Sequence, residues 1–379
     1  MAVHARRYGT ARSGGTLSVR RFDRYISKQF LLSALFALVA FVLIFITIDV
    51  MENMDDFIDR HMGLGLLLKY YLYFTPEMVM LMMPIALLLS SLFTTGRLSN
   101  QNELVAIRMS GMSLYRIMAP FLVLSFIISV ASIYFNGWVV PRTNKEKLDI
   151  GREYLGKNLL SQTSSNLHFQ DGPARLVTIG FFDERRNSAA RISVQDFSDR
   201  NLVDPVRRYD AQEMLWDSTR SAWTLSKGIE REFHGVRESV RPFSSLTLKL
   251  PAVTPERIAK MQLKPDEMLY GDLRRFVDEQ ERSGNNVARW LVDLYSKISF
   301  PFANFIVVLF GVPFSSVKRR GGLAVEFGIS VLISFVYLAF MKASQVFGYS
   351  GALDPLVTAW LANGIFLVAG IAIMLKVQK

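Results

Sequence analysis

The sequence predicts an α-helical polytopic membrane protein of six transmembrane helices, with an all-β domain inserted after the third. Three observations predict it. Long apolar runs fall near residues 30–48, 66–95, 117–138, 298–317, 324–347 and 354–376. A polar stretch over 139–290 divides them three and three. Within that stretch, from about 167 to 250, the texture changes to short segments of period-two alternation. A run of about 20 apolar residues crosses a bilayer as a helix, because lipid cannot solvate exposed backbone N–H and C=O groups. The 379 residues, half of them hydrophobic with mean hydropathy +0.23, suit six spans and one soluble domain.

Charge placement predicts the orientation. The net charge of +11 could suggest nucleic acid, but the cations are sorted by loop. The residues before span one carry Arg6, Arg7, Arg12, Arg20, Arg21, Arg24 and Lys28 against Asp23. The second short loop carries Arg97, Arg108 and Arg116, the loop after span four carries Lys318, Arg319 and Arg320, and the end carries Lys376 and Lys379. The loop after span one is acidic, with Asp49, Glu52, Asp55, Asp56 and Asp59 against Arg60. Cytoplasmic loops collect Lys and Arg, so both termini are expected in the cytoplasm and the large domain outside, with no nucleic-acid partner. The absence of cysteine excludes a disulfide framework, thiolate catalysis and cysteine-based metal sites.

The elements follow in chain order. Residues 1–20 read as a disordered basic tail against an anionic membrane face. The region 21–138 then holds spans one to three. Span one is too long for a signal-peptide core and lacks a small-residue cleavage site, so it is retained. In span two, Pro76 and Pro84 each remove a helix hydrogen bond, and a kinked or broken helix is expected. Glu77 lies well inside the apolar run. It is either a functional acid or a partner for backbone groups freed by the prolines.

Between spans two and three, 100–111 carries its own helix start and stop. Asn100 can cap, Glu103 follows three residues later as a capping-box variant, and Gly111 can close the helix in the left-handed region. Ten helical residues reach about 15 Å, too short to cross a bilayer. Leu104, Ile107 and Arg108 would share one face, which could lie on the membrane or slot into a groove on a cytoplasmic partner. After span three, Pro141 is expected to end the helix, and Asn144 to Lys157 reads as a short polar helix leading outward.

In the inserted domain, 139–290, the segments 176–181, 191–194, 222–225 and 245–250 approximate strands, with turn signals at Asp171-Gly172, Asp204-Pro205 and Lys227-Gly228. Short strands at this spacing indicate an antiparallel sandwich or an open barrel. Beyond Pro255 the period is helical, with Met268, Leu269, Leu273, Phe276 and Val277 on one face and Gly284 as a C-cap. Spans four to six occupy 291–379. Lys69, Lys297 and Lys342 sit near the outer ends of spans, and Asp293 precedes Lys297 by four residues, a spacing that allows a pair. The three lysines either snorkel toward headgroups or form a ring of positive charge for an anionic lipid headgroup.

No phosphate loop of the form G-x-x-x-x-G-K-[S/T] occurs, nor H-E-x-x-H, nor G-x-S-x-G. His4, His61, His168 and His234 are scattered without metal-ligand spacing. No catalytic residue, no metal site and no ATP hydrolysis by this chain are expected.

Several segments carry a family likeness. They are Asp23-Arg24-Tyr25-Ile26 ahead of span one, Asn102 through Gly111, and Trp138-Val139-Val140-Pro141 at the exit of span three. Pro301-Phe302-Ala303-Asn304 and Gly311-Val312-Pro313-Phe314 follow in span four, then Arg319-Arg320-Gly321-Gly322, then Asp354-Pro355 through Trp360-Leu361-Ala362-Asn363. In order and spacing the chain resembles the LptF/LptG lipopolysaccharide-export permeases (the YjgP/YjgQ family) over nearly everything after residue 20.

The resemblance implies a permease subunit of an ABC transporter in the Gram-negative inner membrane. It implies a paralogous six-span partner, a dimeric LptB-like cytoplasmic ATPase and a single-span LptC-like jellyroll partner. It also implies a periplasmic β-jellyroll, which receives lipopolysaccharide drawn from the outer leaflet and passes it along jellyrolls joined edge to edge. The segment around Glu103 would then be a coupling helix, with Glu103, Leu104, Ile107, Arg108 and Gly111 as its docking set. The chain itself would need no cofactor, since ATP–Mg belongs to the ATPase.

Some members place lysines just after span one, where they can meet lipid A phosphates; here Asp49, Asp55 and Asp56 stand instead. That departure leaves the phosphate role to the sister subunit or to a bound divalent cation, and the chain inclines to the LptG side of the family. The alternative from another class is a membrane-anchored receptor with an external ligand-sensing β domain. A secondary transporter for a small solute is disfavoured by the few ionisable groups in the spans.

Overall fold

The structure, a computed structural model, describes residues 14–154, 167–183, 186–198, 201–234, 237–282, 286–315 and 322–377. The expected cap at Gly284 and the cations Lys318, Arg319 and Arg320 lie outside them. The chain divides into two compact units, one formed by the residues up to Leu148 together with those from Leu269 onward, the other by Asp149–Met268.

Among the described residues, six helical segments are long and apolar enough to cross a membrane. The chain opens with α1 (Gly14–Glu52), α2 (Met54–Asp59), α3 (Leu64–Asn100), α4 (Glu103–Met109) and α5 (Leu114–Tyr134). Because α1 starts at Gly14, the last residues of the segment expected as a disordered tail are helical. Of the kink or break expected in span two, no break occurs. The helix α3 runs unbroken through Pro76 and Pro84, since close packing around Pro84 and Ala86–Leu88 supports a helix that has lost single hydrogen bonds.

Nor does Pro141 end span three. A π-helical turn, Phe135–Val139, joins α5 to α6 (Val140–Tyr154), and the Val140 N–H reaches back five residues to the Phe135 carbonyl. The wider turn makes room for the proline ring that follows it. Beyond α7 (Pro255–Gln262), which belongs to the second unit, come α8 (Tyr270–Arg282), α9 (Ala288–Ser299), a 3₁₀ turn (Phe300–Phe302), α10 (Ala303–Ser315), α11 (Gly322–Tyr349) and α12 (Pro355–Val377). The second unit is narrower than 139–290 because α8 packs with the spans: Tyr270 meets Trp138 at 6.0 Å between ring centroids, and Phe276 meets Trp290 at 5.3 Å.

Lipid tails are as apolar as leucine, so close packing and polar contacts hold such helices together. A core of Ile26, Phe30, Leu88, Leu92, Phe121 and Val308 joins α1, α3, α5 and α10. A Cβ at Gly311 would stand 1.7 Å from the Ser91 Oγ, so α10 crosses α3 where no side chain larger than hydrogen fits. Polar links cross the interior. The Tyr337 hydroxyl donates to Asn363 Oδ1 at 2.7 Å, Asn363 Nδ2 donates to the Ser299 carbonyl at 2.6 Å, and Ser344 Oγ donates to the Thr358 carbonyl at 2.9 Å. Glu77, inside span two, is paired with Lys147 of α6 rather than with backbone groups freed by the prolines.

The second unit is a six-stranded antiparallel sheet: β1 (Leu167–Gln170), β2 (Arg175–Asp183), β3 (Ser188–Ser198), β4 (Asn201–Asp217), β5 (Ala222–His234) and β6 (Arg237–Leu248). Sheet order equals chain order, so the described strands form an antiparallel up-and-down sheet, the all-β domain expected between spans three and four. Asp171-Gly172 is a turn, with Gly172 at φ +86. The other two turn signals fall inside strands. Asp204-Pro205 lies in β4 opposite a register shift in β3, and Lys227-Gly228 lies in β5.

One row explains much of the sheet. Gly180, Arg191, Gln212, Lys227 and Ser244 lie across β2 to β6 at a position that every one of these ladders leaves unpaired, with the same register resuming on its far side. Arg191 and Lys227 have φ near the left-handed value, +54 and +52. The inward set changes parity across this row in each strand with a buried face: Val177 and Ile179 give way to Phe182, Ile192 and Val194 to Ala189, and Tyr209 and Ala211 to Met214. The row is therefore a crease that bends the sheet while keeping one face apolar. Trp223, Leu225, Leu250, Val253 and Ile258 complete that core, and the Trp223 indole donates to the Val253 carbonyl at 2.6 Å. The ends of the unit are joined by Arg152, which grips the fully buried Glu267 carboxylate with bonds of 2.9 and 3.1 Å.

Candidate functional site

The short helix between spans two and three is built differently from the expectation in one respect that matters. Asn100 still belongs to α3, and the cap position is Asn102, at φ +57 and without a side-chain cap bond. Glu103 is therefore the first helical residue and cannot close a capping box. With Glu103 in the first turn and Arg108 in the last, the charges complement the helix dipole. Gly111, at φ +88, closes the segment in the left-handed region as expected, and Ser113 then caps α5 by accepting from the Arg116 N–H at 3.3 Å.

The faces of α4 divide sharply. Leu104 is buried and Ile107 half-buried, both against the core that includes Ile26 and Phe30. Leu104 thus anchors the helix to the spans, and Ile107, half-buried beside it, packs against the same core. Arg108 does not share their buried face. Glu103, Val105, Ala106, Arg108 and Met109 are exposed, Met109 to 84%. Val105 and Met109 are exposed apolar residues that sequence reasoning did not single out. Their signal was present: a seven-residue helix in a polar loop carries apolar residues on both faces, and the bundle can cover only one.

The three lysines do not form one surface. Lys69 and Lys342 are exposed, with the Lys69 ammonium 5.8 Å from the Tyr73 ring centroid. Lys297 is buried at 7% exposure, and its carbonyl accepts from Asn136 Nδ2 at 2.9 Å. Lys297 therefore does not share the exposed surface of Lys69 and Lys342. Of the acids after span one, Asp49 has a side-chain partner. Asp49 accepts from the Tyr71 hydroxyl at 2.9 Å, while Asp55 and Asp56 lie in the first turn of α2, where the dipole favours them. Among the described residues, no group of three His, Cys, Asp or Glu side chains is placed to hold a metal ion.

Beside α1 lies an apolar cavity of about 550 Å³, lined by Leu32, Phe36 and Ile44 of α1, Leu89 and Phe93 of α3, and Phe327 of α11. Of the six spans, α1 is the least buried. In the sheet unit, Arg175 is held above the usual guanidinium range, first by its bond to Asp196, and burial pushes the Tyr209 phenol up.

This architecture, with a short helix presented between spans two and three, matches a described group. The profile of the lipopolysaccharide export system permeases LptF/LptG matches residues 24–376. The chain belongs to that family. It is similar to the lipopolysaccharide export system permease protein LptG of Escherichia coli K12, 22% identical over 362 residues that cover 93% of this chain and 98% of that protein. LptF of the same strain is 21% identical over 368 residues, covering 93% and 94%. LptG of Haemophilus influenzae is 21% identical over 353 residues, covering 89% and 95%. The LptF/LptG member described here is thus a multi-pass membrane component of lipopolysaccharide export, a permease rather than an enzyme.

Proposed function

We propose that this permease subunit couples to a separate cytoplasmic ATPase dimer through the exposed face of α4, with Glu103, Val105, Arg108 and Met109 as the contact residues. The observation that carries the reading is the division of α4: Leu104 fixes it to the spans while Met109 and Glu103 face away from the protein. A partner groove would bury Val105 and Met109 and meet Glu103 and Arg108 with opposite charges. On this reading both termini are cytoplasmic, the sheet unit is periplasmic and the membrane is the inner one, as the cation-rich short loops support.

The partners are a paralogous six-span permease, a single-span jellyroll protein and lipopolysaccharide. The chain carries no cofactor, and ATP–Mg is used by the ATPase. Lys69 and Lys342, exposed on their spans, remain as contacts for anionic headgroups; Lys297 does not. Closure of the ATPase moves α4, the cavity beside α1 narrows, and the glycolipid passes to the apolar face of the sheet. The test is Glu103→Lys in the whole complex. ATPase retention after mild-detergent purification should fall while membrane insertion is unchanged, and full retention would remove the docking role.

A further inference from the structure

We propose that Asp23 and Arg116 form a clamp through which movement of α4 is delivered to α1, making both positioning residues for export. The inference rests on the docking role just proposed for α4 and deepens it. Arg116 stands in the first turn of α5, three residues after its cap Ser113 and five after Gly111, which closes the α4 segment. Its Nη2 donates to Asp23 Oδ2 of α1 at 2.6 Å, a contact between residues 93 apart in sequence. A cation in the first turn of a helix opposes the dipole, and a carboxylate there favours it, so the pair places α1 where the start of α5 needs an anion. Among the described residues the second Asp23 oxygen, Oδ1, is buried without a hydrogen-bond partner, so the Arg116 contact carries that carboxylate's pairing.

The rest of α1 is suited to be moved. It is the least buried span, and the cavity described above lies along its middle. At its cytoplasmic-motif end it is held by Ile26 and Phe30, which share a core with Leu104, by the Ser90 Oγ bond to the Phe30 carbonyl at 2.5 Å, and by the clamp. A push on α4 thus reaches α1 by two routes, apolar through Leu104 and ionic through Gly111, Ser113 and Arg116. Both clamp side chains are about one-third exposed, 37% for Arg116 and 33% for Asp23, so the pair contributes little to stability. Its removal should therefore separate coupling from folding.

The test uses the full complex with its ATPase and sister subunit in lipopolysaccharide-loaded proteoliposomes. Asp23→Asn, Arg116→Gln and the exchange Asp23→Arg/Arg116→Asp are compared with the parent. Retention of the ATPase should be unchanged in all three, and thermal stability should be unchanged in Asp23→Asn, which leaves no carboxylate charge without its cation. Lipopolysaccharide released per ATP hydrolysed should fall at least about fivefold in the single variants, the lower end of usual coupling between sites. The exchanged pair should recover most of that loss. An unchanged ratio in the single variants overturns the clamp and leaves α4 docking intact. A loss that accompanies lower stability, with no recovery on exchange, also overturns it, because a structural pair behaves that way. If the parent complex releases no lipid, or Glu103→Lys keeps its ATPase, the docking reading falls and the clamp falls with it.

Discussion

Replacing Arg152 by Met should open one end of the sheet unit. The Glu267 side chain is fully buried, and Arg152 supplies its two charge-assisted bonds, at 2.9 and 3.1 Å; the Lys264 N–H adds a longer one at 3.2 Å. Truncating the cation leaves a buried carboxylate nearly uncompensated, which costs about 3–5 kcal/mol. Removing both partners together, as Arg152→Met with Glu267→Met, costs far less because no charge stays buried. At about 1.4 kcal/mol per decade, the single variant should exchange its protected amides around Lys264–Met268 and the end of α6 about 10²–10³-fold faster. Hydrogen exchange read by mass spectrometry on the detergent-solubilised protein measures this directly. Unchanged exchange in the single variant, or a double variant as fast as the single one, refutes the reasoning.

Further expectations concern packing. Gly311→Ala brings a Cβ against Ser91 and should cost about 1–3 kcal/mol, seen as a lower thermal midpoint, with Ser91→Gly in the same chain recovering most of it. Met109→Glu should leave that midpoint nearly unchanged, as exposed positions do, while ATPase retention falls; Leu104→Ala should instead cost about 2–5 kcal/mol. Gly228→Ala would set a Cβ 2.7 Å from the Asp210 carbonyl and 2.2 Å from the Phe243 ring, so tryptophan-monitored unfolding should shift to lower denaturant.

The spans were legible because a bilayer demands long apolar runs, and those runs survive any detail of packing. Strand β4 was not. Its polar residues are consumed in ion pairs, Arg207 with Glu232 at 2.6 Å and Arg208 with Asp210 at 2.9 Å, so an interior strand reads as a loop. Its alternation also reverses at Gln212, which hides a period-two pattern from any window that crosses that residue. Pro141 misled for a related reason, since a π-helical turn has no sequence signature beyond the proline it accommodates. For α4 the sequence located the helix and its glycine stop. Which side the bundle covers depended on the tertiary contacts of Leu104, and no periodicity in seven residues decides that.

The shared row of unpaired residues in the sheet constrains how this domain can change over time. Each of the strands β2 to β6 spends one residue at the same line, so deleting that residue from a single strand would turn all its side chains beyond the line inside out relative to its neighbours. Hairpin tips can lengthen or shorten freely, whereas the interior must be trimmed in every strand together or in none. Homologous domains should therefore vary in length at their loops while keeping a constant number of residues between that line and the Trp223 end of the sheet.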